Sequence, residues 1–125
     1  MVSLATLADD TSIMSQFATD AAPVVLVNVF SVAPEDVDAL LATWTKDAAF
    51  MRAQPGFLGT QLHRGLAPST LFMNYAVWTD TASFRAAFQQ PDFQRHIAEY
   101  PASAIARPHL FTKLDVPGIC DGGPL

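Results

Sequence analysis

Apolar residues recur along the chain with a spacing that switches between two and three to four, and each switch marks a new element. Val24 to Val32 is a β-branched run that predicts a first strand. Pro34, Glu35 and Asp36 then open a helix, with proline early and acids in the first turn. Its apolar stripe is Val37, Leu40, Leu41, Trp44, Ala48 and Met51, and Pro55-Gly56 ends it. Phe57 to Arg64 predicts a second strand, Gly65 to Ser69 a hairpin loop, and Thr70 to Trp78 a third strand. Asp80 is placed to cap a helix carrying Phe84, Ala87 and Phe88. Pro91 interrupts that helix, and Asp92 starts a further turn or two with Phe93, His96, Ile97 and Tyr100 on one side. After a loop bracketed by Pro101 and Pro108, His109 to Val116 predicts the fourth strand.

The order β-α-β-β-α-β predicts one ferredoxin-like α+β domain over residues 23–116. Right-handed crossovers set its first and third strands side by side in the middle of a four-stranded antiparallel sheet, with both helices on one face. The other face is also apolar, notably at Val25, Val27 and Val29. A bare apolar face needs a cover, and a second copy of the sheet supplies one, so a homodimer is expected. Residues 1–22, mostly Ala, Ser, Thr and Asp with Ile13, Met14 and Phe17, read as an N-terminal arm, partly helical at best. Residues 117–125 read as a flexible tail, being rich in Gly and Pro.

Composition narrows the partners. Lys plus Arg is 7 against 12 Asp plus Glu, giving a net charge of −5 with no basic cluster, so nucleic acid is not expected. Charged residues are 15% of the chain while nine Phe, two Trp and two Tyr are present, a balance that suits an apolar pocket or a buried partner face. No apolar run approaches the roughly 20 residues of a membrane span, and Met1–Asp10 lacks the pattern of a signal peptide. With a single cysteine, Cys120, the chain closes no internal disulfide, which fits a reducing, cytoplasmic setting.

The informative positions are polar residues inside core strands. Alternation places Val24, Leu26, Asn28, Phe30 and Val32 on one face of the first strand, and Phe72, Asn74, Ala76 and Trp78 on one face of the third. Asparagine is a poor strand former, and an unpartnered buried amide costs about 1–3 kcal/mol. Two readings follow: the amides converge on a ligand in an apolar cavity, or they satisfy each other or a buried water. Trp78 is either core or an indole donor into that cavity, and Trp44 is core. His63, His96 and His109 fall on separate elements without ligand spacing, so no metal site is expected; His96 is either a satisfied core histidine or a group that reaches the cavity. No glycine-rich phosphate loop and no nucleophile motif occurs, and the Asp and Glu residues read as solvated caps.

Several stretches resemble the antibiotic biosynthesis monooxygenase superfamily: Val27-Asn28-Val29-Phe30, Ala49 to Phe57, Asn74 to Asp80 with Phe84-Arg85, and Leu110-Phe111-Thr112. The resemblance is strongest to the cofactor-independent anthrone monooxygenases of aromatic polyketide pathways. It implies a dimeric α+β barrel and catalysis by Asn28, Asn74 and Trp78. It also implies molecular oxygen as co-substrate, no cofactor, and a polycyclic aromatic substrate bound by Phe30, Phe72 and Phe88 as walls and by His96, a candidate proton relay. Haem-degrading members of the superfamily carry a helical Trp where this chain has Phe88, and a His one residue farther from the Phe than His96 lies from Phe93. A dimeric non-catalytic binder of apolar metabolites, or an isomerase or cyclase on the same scaffold, are the alternative functions.

Overall fold

The computed structural model describes residues 2–123; Met1 of the expected arm and Pro124 and Leu125 of the expected tail lie outside the described residues. In chain order the elements are β1 (Ser3–Leu4), α1 (Ile13–Gln16), β2 (Val24–Ser31), a 3-10 turn (Pro34–Asp36) and α2 (Val37–Arg52). They continue with β3 (Phe57–Arg64), β4 (Leu71–Trp78), α3 (Thr81–Phe88), α4 (Pro91–Ala98) and β5 (Ile105–Phe111). The fold is α+β and ferredoxin-like, with β2 and β4 adjacent at the centre of the sheet.

The sheet departs from the expected four antiparallel strands. It has five, in the order β1-β5-β2-β4-β3, and β1 pairs parallel to β5 through Ser3↔Ile105 and Leu4↔Ala106. A two-residue strand carries no periodicity, so it leaves no mark in the hydrophobic pattern. The last strand also lies earlier than expected, at Ile105–Phe111 rather than His109–Val116, and runs through Pro108. Backbone parity explains this. Ala104 and Ala106 turn their carbonyls outward to Ser3 N and Ala5 N, both at 2.9 Å. Leu110 turns both backbone groups outward to the Gln16 amide, donating to Oε1 at 2.8 Å and accepting from Nε2 at 3.0 Å. Pro108 shares that parity, so its missing N–H faces away from β2 and costs no ladder bond. The segment from Ser3 to Gln16 thereby caps the outer edge of β5, an edge that would otherwise invite pairing with another chain.

The helices cover one face of the sheet. Asp80 caps α3 by accepting from Ser83 N at 2.8 Å, and Pro91 starts α4 where its missing N–H is not needed. Gly56, at φ 88°, lets the turn after α2 close against this region: a Cβ there would collide with the Ser83 side chain. The buried face divides into two clusters. Leu26, Ala76, Trp78 and Leu110 pack with Phe84 and Phe88 in one. Phe30, Phe72 and Ala106 pack with Leu40 and Tyr100 in the other. The sheet layer between them is Asn28, whose Cα partners are Asn74 on β4 and Pro108 on β5. On the opposite face Val27, Val29, Met73 and Val77 remain half-buried.

Candidate active site

The seam between the two clusters is hollow. A cavity of about 70 Å³ lies between the sheet and the helices, with Asn28, Asn74 and Trp78 on its sheet wall and Phe30 and Phe88 beside them. Register brings the two asparagines together: they are directly opposed on adjacent antiparallel strands, so both side chains leave the same face at the same level. Trp78 lies two steps of the alternation farther along β4, 1% exposed, with Phe57 and Phe84 edge-on to its ring at 5.3 and 5.5 Å.

The polar atoms here are incompletely satisfied. Asn74 Oδ1 accepts from the Thr60 hydroxyl on β3, which fixes the orientation of the amide. Asn28 Oδ1 is buried and receives no hydrogen bond, and Trp78 Nε1 is buried and donates none. Asn28 Oδ1 therefore does not pair with Asn74, so the arrangement is not two amides that satisfy each other. An unpaired buried acceptor and an unpaired buried donor on one cavity wall are costly to the fold and are what a site awaiting a polar ligand presents.

Two of the expected wall residues stand apart from the cavity. Phe72 is buried behind it in the second cluster, with the Arg64 guanidinium 5.1 Å from its ring centre. His96 sits edge-on to Phe50 at 5.7 Å and comes toward the cavity only as far as Asp47, 3.8 Å from its Nδ1.

Asp47 corrects the expectation that the acids are solvated caps. It is 9% exposed and lines the cavity from the helix side, with Oδ2 accepting from the Tyr100 hydroxyl at 3.0 Å and Oδ1 unpartnered. Burial pushes its carboxyl up to about 7, against the opposing pull of the Tyr100 hydrogen bond. The same burial, with the Asp47 charge, holds the Tyr100 phenol well above its ordinary range. The signal was present in the helical spacing, since Leu40, Trp44, Asp47 and Met51 follow one stripe. Thr60 had no such signal, a threonine being ordinary in a strand. Among the described residues no group of three or more His, Cys, Asp or Glu is placed to hold a metal ion, and no helix is long and apolar enough to cross a membrane.

Comparison with known proteins bears on the whole of this region. The sequence profile of the antibiotic biosynthesis monooxygenase family matches residues 23–99. Deoxynogalonate monooxygenase of Streptomyces nogalater is 37% identical over 95 residues, covering 74% of this chain and 78% of its own. Tetracenomycin-F1 monooxygenase of Streptomyces glaucescens is 39% identical over 74 residues, 57% of this chain and 63% of its own. Among solved structures, SnoaB, described as a cofactor-independent oxygenase from Streptomyces nogalater, superposes with a TM-score of 0.68 at 34% identity, covering 78% of this chain and 99% of that one.

Proposed function

The chain belongs to the antibiotic biosynthesis monooxygenase family, and from that premise we propose that it is a cofactor-independent monooxygenase that oxidises an anthrone-type polycyclic aromatic polyketide to a quinone with O2. The observation that carries this reading is the opposed Asn28–Asn74 pair beside the unpartnered Trp78 N–H, in a cavity otherwise walled by apolar groups. Two similar proteins are named as monooxygenases, of deoxynogalonate and of tetracenomycin F1, and a similar solved structure is described as a cofactor-independent oxygenase.

Triplet oxygen reacts slowly with closed-shell organic molecules, and most oxygenases borrow a metal or flavin to overcome this. An anthrone supplies its own reductant. Its methylene is acidic because the carbanion spreads over two rings and onto the ketone oxygen, and that anion gives one electron to O2. The protein is left to hold a flat polycycle, stabilise the developing oxyanion and manage protons. The amide N–H groups of Asn28 and Asn74 suit the oxyanion, in a dry site where a well-placed donor contributes about 3–4 kcal/mol. Trp78 N–H holds the same oxygen in this reading, or helps to protonate the peroxide. Phe30 and Phe88 serve as walls, with Phe72 beside Phe30 and His96 beside Asp47 next to the cavity. A cavity of about 70 Å³ is smaller than the roughly 300 Å³ at which drug-sized ligand pockets begin, so substrate entry widens it. The two-residue β1 and Val2 before it bring Val2 and Leu4 onto the wall.

The test is direct. The pure protein incubated with 1,8-dihydroxyanthrone is expected to consume O2 and develop quinone absorbance in a one-to-one ratio. Binding without O2 uptake would make it a binding module, and a rearranged product without O2 uptake an isomerase or cyclase.

The same reading includes a homodimer closed into an α+β barrel through the half-buried Val27, Val29, Met73 and Val77 face. Light scattering at micromolar concentration is expected to give twice the 13.5 kDa chain mass; a monomer would overturn the barrel.

A further inference from the structure

We propose that Asp47 is the general base of this site, taking the substrate's methylene proton on Oδ1 from the helix wall while the amides hold the ketone oxygen from the sheet wall. The inference rests on the monooxygenase reading above, which leaves the proton without a named acceptor. Asp47 and Tyr100 are the only ionisable side chains among the described residues that line the cavity. Their geometry divides the work. Tyr100 donates to Oδ2 at 3.0 Å, and a phenol held above its ordinary range stays protonated and keeps donating. That bond orients the carboxylate and leaves Oδ1 buried without a hydrogen bond, on a residue that lines the cavity. A carboxyl raised to about 7 is matched to proton transfer near neutral pH, where an ordinary aspartate is too weak a base.

The surroundings of Asp47 contain little else that is charged. From α4, His96 Nδ1 stands 3.8 Å from Oδ1, beyond hydrogen-bond distance and itself without a partner. Lys46 and Glu99 pair with each other at 3.4 Å on the exposed rim, and Arg95 pairs with Asp92 on the outside of α4. From the sheet, the cavity wall carries the neutral groups Asn28, Asn74, Thr60 and Trp78. His96 is thus a neighbour that makes no hydrogen bond to Asp47.

The step balances. The methylene C–H bond breaks, its electron pair stays on carbon and spreads to the ketone oxygen, and an O–H bond forms at Asp47 Oδ1. The anion passes one electron to O2, and the two radicals join in a carbon–oxygen bond. The peroxide takes its proton from Asp47 and loses water, the second methylene hydrogen leaving with it. The methylene and O2 become a carbonyl and water, and the carboxylate is restored.

The experiment separates the base from the oxidation. Under anaerobic conditions in D2O, the wild-type protein is expected to speed deuterium exchange at the methylene of 1,8-dihydroxyanthrone, with a rate that rises through about pH 7. Asp47→Asn, which keeps the size and the acceptor for Tyr100, is expected to lower the exchange and kcat by about 10²-fold or more and to flatten the pH profile. A second readout needs no substrate. A carboxyl that is ordinary when unfolded and raised to about 7 when folded contributes stability below about pH 4 that is lost as pH rises through about 7. The wild-type melting temperature should carry that decline, and Asp47→Asn should lack it. If Asp47→Asn exchanges and oxidises like wild type, the base assignment falls and the monooxygenase stands. If wild type exchanges deuterium but never takes up O2, the base stands and the monooxygenase falls. Neither activity in wild type overturns both. Should Asp47→Asn not fold, a wild-type exchange rate that shows no rise between pH 6 and 8 overturns the base.

Discussion

Folded Asn28→Ala and Asn74→Ala variants are expected to turn over 1,8-dihydroxyanthrone about 10²-fold more slowly than wild type, or worse. The loss should fall on kcat more than on KM, because an oxyanion donor works harder on the charge that develops in the transition state than on the neutral ketone. The two amides leave the same face of the sheet from directly opposed positions, and on the proposed mechanism both donate to the one ketone oxygen. The Asn28 amide oxygen, buried without a partner, contributes nothing to the fold that would explain its place in a central strand. Asn28→Ala therefore should not destabilise the protein through a lost hydrogen bond at that oxygen. Asn74 differs, since its oxygen is held by Thr60. Thr60→Val keeps the shape of the side chain and frees the amide to rotate, with an expected loss of about five- to tenfold, the equivalent of one ordinary hydrogen bond; Thr60→Ser should restore it. Near-native turnover in both folded alanine variants would make the amides structural and the oxyanion mechanism wrong.

Strand parity made that pair legible in advance. Side chains alternate strictly along a strand, and the crossover rule sets the first and third strands of this topology side by side. Two asparagines of matching parity on those strands had to share a face, and the register then brought them level. The long helices were legible for the same kind of reason, since stripes such as Leu40, Trp44 and Met51 repeat over several turns. What escaped is of a different nature. β1 is two residues long and is held by pairing to β5, a relation between residues about 100 positions apart that leaves no local trace. Pro108 reads locally as a strand breaker, and only the outward direction of its neighbours' backbone groups shows why β5 tolerates it. Asp47 lies on the apolar stripe of α2, but a carboxylate at one stripe position is indistinguishable in sequence from one at its margin. Its burial depends on Tyr100, which is brought over it from beyond the end of α4. Phe72 falls on the same face of the sheet as Phe30, its partner on β2, and His96 lies beside Asp47, yet of these four only Phe30 and Asp47 line the cavity.

Trp78→Phe is expected to lower turnover by about 10²-fold while leaving stability within about 1–2 kcal/mol of wild type. The indole is 1% exposed and packed edge-on against Phe57 and Phe84. Truncating such a side chain to alanine costs about 3–5 kcal/mol, which would confound any activity measurement with unfolding. Phenylalanine keeps the ring that meets Phe57 and Phe84 and gives up only the remainder of the bicycle, a smaller volume. It also removes an N–H that is buried without an acceptor, and relieving such a group returns about 1–3 kcal/mol. The cavity left and the donor removed act in opposite directions at nearly equal size, so a chemical denaturation midpoint should hardly move. Activity has no such compensation, since on the proposed mechanism the N–H is the group that donates to the substrate oxygen or peroxide. A folded Trp78→Phe protein with full turnover would show the indole to be core alone. A variant destabilised by 3 kcal/mol or more would show that its N–H is satisfied in solution, and that the site does not hold the unspent donor on which the mechanism draws.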